Sequence, residues 1–398
     1  MFNGPGHTGA CGAYPLFYAD PFGLRGEIDP FVMPSARSGG MGGTHAAFAD
    51  DFYVLFTNPA ALIDVEDQFS AAEITVSMYG PLFELFDMLS AYSGGNLDLS
   101  NIAPGAAGFD MAGPVALGWV GRRMGLGIFS RTKADVEMTS SVIKPVLSGE
   151  ILLLGGYSFR FIDMPRHVMD GGFLAKGFYR GMVNMESSVF DAGDIISDFM
   201  GNPYETHLGM GLDLGLRYMF NEDLAAGLVC FDAYSPALVN SYNSLSDYRD
   251  KSASDSSYAT VRPRLNLGVS YRIHSGFLDR YISNLMVMLD YNDFLDLALS
   301  SPRNSILNIG LGAELRLLHV LSLRLGIGDA LPAAGFGLDL KYLKLDFAVR
   351  GKEMGPDPGD RRTYPLIWVS SSGISSYYTR EGTDEHGRCR SQGPVEFL

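Results

Sequence analysis

From about residue 68 onward the chain alternates apolar and polar positions with a period of two. In 206–220, Leu208, Met210, Leu212, Leu214, Leu216, Tyr218 and Phe220 fall on one side of an extended chain. His207, Gly209, Gly211, Asp213, Gly215 and Arg217 fall on the other, because successive side chains of a strand point to opposite faces. In 264–274 an apolar row opposes Arg264, Asn266, Gly268, Ser270, Arg272 and His274. In 306–317 it opposes Asn308, Gly310, Gly312, Glu314 and Arg316, and in 320–328 Ser322, Arg324, Gly326 and Gly328. Between 336 and 350 the apolar row switches parity after Tyr342, as a tight hairpin requires. Weaker alternation marks 68–80, 112–121, 123–138, 149–162, 171–183, 222–233, 281–293 and 363–378. The pattern predicts about 14 strands, many longer than the usual length of about 5–6 residues. Segments 81–99 and 187–202 are expected to be short helices, and 240–261 a polar loop. Very short connections, such as 220–223 and 317–320, alternate with long ones.

Alternation alone also suits a soluble sandwich, with the apolar face as its core. Three features favour the opposite sidedness. The strands reach the roughly 9–11 residues that cross a bilayer at a tilt. Their apolar faces are nearly unbroken leucine. Aromatic residues gather near strand ends at Tyr218, Phe220, Tyr271, Tyr291 and Tyr342, as an interfacial girdle does. Closure also removes the edges that a large open sheet exposes. The expected class is all-β: a transmembrane antiparallel β-barrel of about 14 strands, apolar face to lipid. Asp213, Arg217, Arg264, Arg272, Glu314, Arg316 and Arg324 then become candidate lumen-lining residues.

Composition narrows the chemistry. The chain has 398 residues, 46% apolar and 19% charged, with 48 glycines. No window of 18 apolar residues offers a membrane helix. A net charge of −15 without a basic patch argues against nucleic-acid binding. Cys11, Cys230 and Cys389 are far apart and odd in number, so neither a disulfide framework nor a zinc spacing is formed. The run "GGMGG" lacks the Lys-Ser/Thr of a phosphate loop. His45 with Asp50 and Asp51 makes a poor metal set, since adjacent carboxylates on a strand point apart. No nucleophile elbow is present. No enzyme activity, cofactor or metal is expected. The first twenty residues lack the basic and apolar regions of a signal peptide, so any such signal is expected outside the given sequence.

One stretch before the strands stands apart: "SARSGGMGGTHAAFADDFYVLFTNPAAL", 35–62. Gly39, Gly40, Gly42 and Gly43 permit compact turns, since glycine accepts φ > 0 without steric cost. Pro59 fixes its own φ and biases Asn58 away from helix. This stretch, with its Asn58-Pro59-Ala60, and the later "GFGLDLKYLKLDFAV", 335–349, resemble the FadL-type outer-membrane transporters of long-chain fatty acids and other hydrophobic compounds. The nearest flavour is the spirochaete branch found in treponemes. The resemblance extends over roughly residues 30–350.

The resemblance implies an irregular lead over 1–34, a lumenal plug or hatch over 35–66, a barrel over 67–378 and a polar tail over 379–398. The tail departs from the aromatic-ended strand usual in such barrels. Ser35, Arg37, Gly39, Gly42, Gly43, Asp50, Asp51, Asn58, Pro59 and Ala60 become plug or gate residues, with Asp50 and Asp51 facing lumenal arginines. Implied too are a monomer in the outer membrane of a diderm bacterium and a hydrophobic ligand, such as a long-chain fatty acid. That ligand would pass a rearranged plug and leave sideways into outer-membrane lipid. A barrel partner in protein secretion or surface assembly, and a non-transporting surface adhesin, are the alternative functions.

Overall fold

A computed structural model describes residues 27–28, 30–47, 52–65, 67–80, 105–139, 141–188, 199–221, 223–273, 282–299, 302–318, 320–340, 343–353, 355–359, 364–377, 382–383 and 389–390. In chain order, β1 (Glu27–Ile28) precedes the first wall strands, β2 (Gln68–Tyr79), β3 (Gly105–Gly121), β4 (Met124–Met138), β5 (Val142–Met164) and β6 (His167–Asn184). After β7 (Ser187–Ser188) come β8 (Tyr204–Phe220), β9 (Leu224–Tyr234), β10 (Pro236–Tyr242), β11 (Asp255–Val261), β12 (Arg264–Arg272) and β13 (Ile282–Tyr291). Then follow β14 (Ile309–Leu317), β15 (Leu321–Gly328), β16 (Leu331–Leu340), β17 (Leu343–Lys352) and β18 (Tyr364–Tyr377).

Fourteen of these strands form a closed antiparallel ring: β2 to β6, β8, β9 and β12 to β18. β18 pairs with β2, from Leu366 opposite Tyr79 to Tyr377 opposite Gln68, and β9 pairs with β12. Pro365 does not prevent this closure, because it lies at the strand's end opposite Gly351. The chain thus folds as an all-β transmembrane barrel with its N-terminal segment in the lumen. Arg122 and Arg123 join β3 to β4, both with positive φ (52° and 71°). That conformation matches the right-handed twist of the flanking strands.

Exposure fixes the sidedness. Leu325 is 66% exposed, Met210 63% and Leu153 62%, whereas Glu314 is 0% and Arg324 2% exposed. A soluble domain shows the reverse. The leucine rows are the outer surface and the glycine and charge rows the inner one, as the alternation predicts. Tyr218 and Tyr271 lie outward at the tight-turn end. Tyr291 lies at the other end, edge-on to Phe294 with ring centroids 5.9 Å apart. Tyr342 lies outside the described residues.

The segment 240–261 is not simply a loop. β10 continues the wall upward from β9 and pairs with upper β8, and β11 pairs back onto β10 across the short helix Leu245–Arg249. Its serines and aspartates carry no apolar row, because this hairpin rises past the leucine band and has no lipid face to advertise it. Part of the lead is also ordered in the sheet. β1 pairs parallel with β11, Ile28 opposite Val261, and Ile28 and Met33 are buried. β14 begins at Ile309 after a 3-10 turn, Ser305–Asn308. Of 187–202, the described parts are β7 and a 3-10 turn at Phe199–Gly201; 81–99 lies outside the described residues.

Leu325→Arg is expected to destabilise the barrel by about 2–4 kcal/mol in bilayers, the cost of a cation near the midplane. Urea titration in liposomes measures it. A change within a few tenths of a kcal/mol places this face in water.

Candidate functional site

The plug runs through the lumen as three short turns. α1 (Ala36–Gly40) is capped by Ser35, whose Oγ accepts from the Ser38 amide at 3.3 Å. Gly42 and Gly43 follow with φ of 71° and 89°, a conformation open to glycine. The 3-10 turns Phe52–Phe56 and Pro59–Ile63 complete it. Asn58 joins the last turn to the wall. Its Oδ1 accepts from the Ala60 amide at 3.0 Å, and its Nδ2 donates to the carbonyls of Ala46 (2.9 Å) and of Leu216 on β8 (3.1 Å). Pro59 supplies the fixed φ of a first helical position.

The inward glycines of the wall have a common purpose here. A Cβ on Gly42 would strike the carbonyls of Ile327 and Leu311. In return, a Cβ on Gly312 or Gly326 would strike the backbone around Met41 and Gly42. Gly172 and Gly215 leave the same room for Asn58–Pro59–Ala60, and Gly227 for Ala46. The plug therefore lies backbone to backbone on the wall.

Three carboxylate-centred contacts also hold it. Arg37 donates to Glu314 on β14 through Nε (2.8 Å) and Nη2 (2.5 Å), a two-pronged pair with both partners buried. Arg324 Nε donates to the same carboxylate at 2.8 Å, and its Nη1 reaches Asp346 at 2.5 Å. Arg316 stands 3.6 Å from Glu314. Second, Asp64 at the plug's end accepts from Arg217 (2.5 Å) and Arg160 (3.0 Å). Third, Asp290 on β13 accepts the amides of His45 (2.6 Å) and Ala46 (2.8 Å). The His45 ring donates from Nδ1 to the Gly43 carbonyl (2.7 Å) and accepts from Asn266 at Nε2 (3.1 Å).

Of the expected lumen residues, Glu314, Arg316, Arg324 and Arg217 thus meet the plug or its partners. Asp213 faces inward and holds Lys176 at 2.9 Å. Arg264 lies over the Phe231 ring at 5.4 Å. Arg272 keeps the inward parity but sits exposed at the tight-turn end of β12. Asp50 and Asp51 lie outside the described residues. The plug carboxylate seen to meet Arg217 is Asp64. Asp64, Asp290 and the wall glycines were missed, since nothing local in the sequence distinguishes a glycine facing a plug from one facing water.

The opposite side of the lumen is apolar. Phe52, Val54 and Leu55 of the plug pack with Ala116, Val120, Phe129, Leu152, Leu154, Leu174 and Phe178 of β3 to β6. Phe56 meets Phe129 edge-on, centroids 4.8 Å apart. Beside this cluster the wall ladder is interrupted. Ala112 pairs with Arg131, yet the next registered pair is Ala116 with Phe129, leaving Gly113, Pro114 and Val115 out of register. On the other flank, β2 pairing skips from Ala71 to Thr75. Pro114 has no N–H to give, and the Val115 amide donates to Ser130 Oγ at 3.2 Å instead of to a ladder carbonyl.

No family model matches the chain, and no curated protein matches it. Several solved structures are similar to it over most of their length, at low identity. The CymD monoaromatic hydrocarbon channel is 13% identical, with a TM-score of 0.44 over 87% of this chain and 97% of that one. The Pseudomonas putida toluene transporter TodX is 12% identical, with a TM-score of 0.44 over 89% of this chain and 100% of that one. A Pseudomonas aeruginosa FadL homologue is 11% identical, with a TM-score of 0.44 over 86% and 99%.

Arg37→Ala is expected to weaken the folded, plugged state by about 3 kcal/mol, because it leaves Glu314 buried with part of its charge unmatched. It should also raise the conductance of single barrels in planar bilayers, whereas Arg272→Ala should change neither quantity. Unaltered conductance together with unaltered stability in Arg37→Ala removes the ion pair as the plug's anchor.

Proposed function

We propose that this chain is a FadL-type transporter of the spirochaete branch in the outer membrane of a diderm bacterium. It takes up long-chain fatty acids or other small hydrophobic compounds by rearrangement of the plug and sideways release into lipid. The carrying observation is the break in the wall at 113–115, at mid-strand and beside the apolar cluster around Phe129. An apolar solute gains nothing from an aqueous channel, because leaving water is what drives its burial. A route that passes from an apolar lumen through a gap to the acyl chains never returns it to water.

The plug suits such gating. Most of its buried polar contacts fall on β8 and β12 to β14, away from the break, while its aromatic turn Phe52–Phe56 covers the lumenal side near the break. Tyr53 donates from its hydroxyl to the Pro34 carbonyl at 3.3 Å and lies 3.2 Å from Thr75 Oγ1 on β2, next to the interrupted register. A ring that closes on itself also leaves the wall strands without a need for a second copy, in keeping with a monomer.

Deleting Pro114 and Val115 restores the register between β3 and β4. The variant is expected to keep heat-modifiable gel migration and saturable ligand binding. It should lose about tenfold or more in the rate of hydrophobic-probe transfer into liposome membranes. Transfer as fast as in the parent, with the barrel intact, rules out release through this gap.

A further inference from the structure

Above the apolar cluster lies a layer of charged side chains from β3 to β9. Arg131 donates twice to Asp110 (2.9 and 2.7 Å), Arg180 pairs with Glu150 at 2.5 Å, and Lys176 sits between Asp213 (2.9 Å) and Asp232 (2.8 Å). Three cations thus face four carboxylates, and each cation is already engaged. A small cavity opens in this layer, lined by Glu150 and Asp232, by their partners Arg180 and Lys176, and by the apolar side chains of Phe31, Phe178 and Val261. It has room for about one water molecule, enough for a small terminal group such as an ammonium and not for a whole ligand.

Two carboxylate oxygens among its lining residues accept no hydrogen bond, Glu150 Oε2 and Asp232 Oδ2. Glu150 is 5% exposed and Asp232 2%. Glu150 Oε2 has an ion-pair contact with Arg131 at 3.8 Å, beyond hydrogen-bond reach. Asp232 is held at a φ of 53°, in the left-handed region a non-glycine residue seldom adopts. Buried acceptors without donors cost free energy, which a donor arriving from a ligand would recover. An incoming carboxylate would do the opposite. It would add a further negative charge and set acceptors against acceptors. Arg264, a further cation in the lumen, lies over Phe231 outside the cavity lining, and its charge acts on Asp232 and Asp213 without donating a hydrogen bond to either free oxygen.

Resting on the transport function proposed above, we infer that this cavity selects an amphiphile whose head donates hydrogen bonds. The two carboxylate oxygens without donors make an aliphatic ammonium the best head, an alcohol second and a fatty-acid carboxylate the worst. The apolar wall formed by Phe31, Phe178 and Val261 takes the first part of the tail.

The full chain, folded in a nonionic detergent, is titrated calorimetrically with decylammonium, decanol, decanoate and decyl methyl ether. The ether shares the tail and carries neither charge nor donor. Decylammonium is expected to bind about tenfold or more tighter than decanoate or the ether, roughly one charge-assisted hydrogen bond. Glu150→Gln and Asp232→Asn should each reduce that preference, and Glu150→Gln should improve decanoate binding by releasing Arg180 and Arg131; binding of the ether should be unchanged. Decanoate binding as tightly as decylammonium overturns the inference, as does a preference untouched by both variants. In either case, continued binding of the ether leaves the transport function standing. If none of the four binds to a heat-modifiable barrel, the transport function falls, and the head-group selectivity with it.

Discussion

Inside a bilayer no water is available to an unpaired amide, and each such group costs several kcal/mol. The rest of this molecule follows from that constraint. It requires the ladder to close, which β18 on β2 and β9 on β12 accomplish. Closure of fourteen strands leaves a lumen too wide for wall side chains alone to fill, and the plug occupies it. The plug in turn explains why so many inward positions are glycine: Gly312, Gly326, Gly215 and Gly172 let backbone approach backbone. A larger side chain there would hold the plug away and strand the donors and acceptors that Asn58 and Asp290 now satisfy.

The same constraint marks the break in β3 as a feature to be explained. Three residues lose register in the middle of a wall strand, where pairing is most needed. The loss is partly repaired, since Pro114 has no amide to satisfy and Ser130 serves the amide of Val115. Local repair of that kind lets an irregular register persist at mid-strand. Its place, between the level of Arg131 and that of Phe129, is also where the lumen changes from ion-paired to apolar.

Much of this was legible in the chain. A period-two pattern with leucine on one face specifies strands and their parity, and membrane sidedness followed from strand length and aromatic placement. The strand boundaries of β8, β12, β15 and β17 agree with the alternation to within a residue or two at most ends. The hairpin of β10 and β11 was not legible, because strands above the lipid have no apolar face to alternate. Asn58-Pro59-Ala60 was readable as a plug motif, but its partner, the Leu216 carbonyl, is a backbone atom that no side-chain pattern announces. Arg37 was recognisable as a plug residue and Glu314 as a lumenal one. Their pairing was not, since 277 residues separate them and only the closed ring brings them together.

The two sides of the plug differ in the forces that hold them, and this bears on how it can move. Toward β13 to β15, contact is made by directional, buried, charge-assisted bonds from Arg37, His45 and Ala46. Breaking one while both groups remain buried leaves an uncompensated charge, and intermediate positions are no better. Toward β3 to β6, apart from the Asp64–Arg160 pair at the plug's end, contact is made by Phe52, Val54, Leu55 and Phe56 against other apolar side chains. Dispersion and burial are non-directional and can be replaced by an apolar ligand at little cost. In the transport function proposed above, a solute entering the apolar side would displace the Phe52–Phe56 turn while the Arg37–Glu314 pair stays closed. On that proposal the least costly opening is a local swing of one turn beside the irregular register of β3, with the rest of the plug still seated on the glycines.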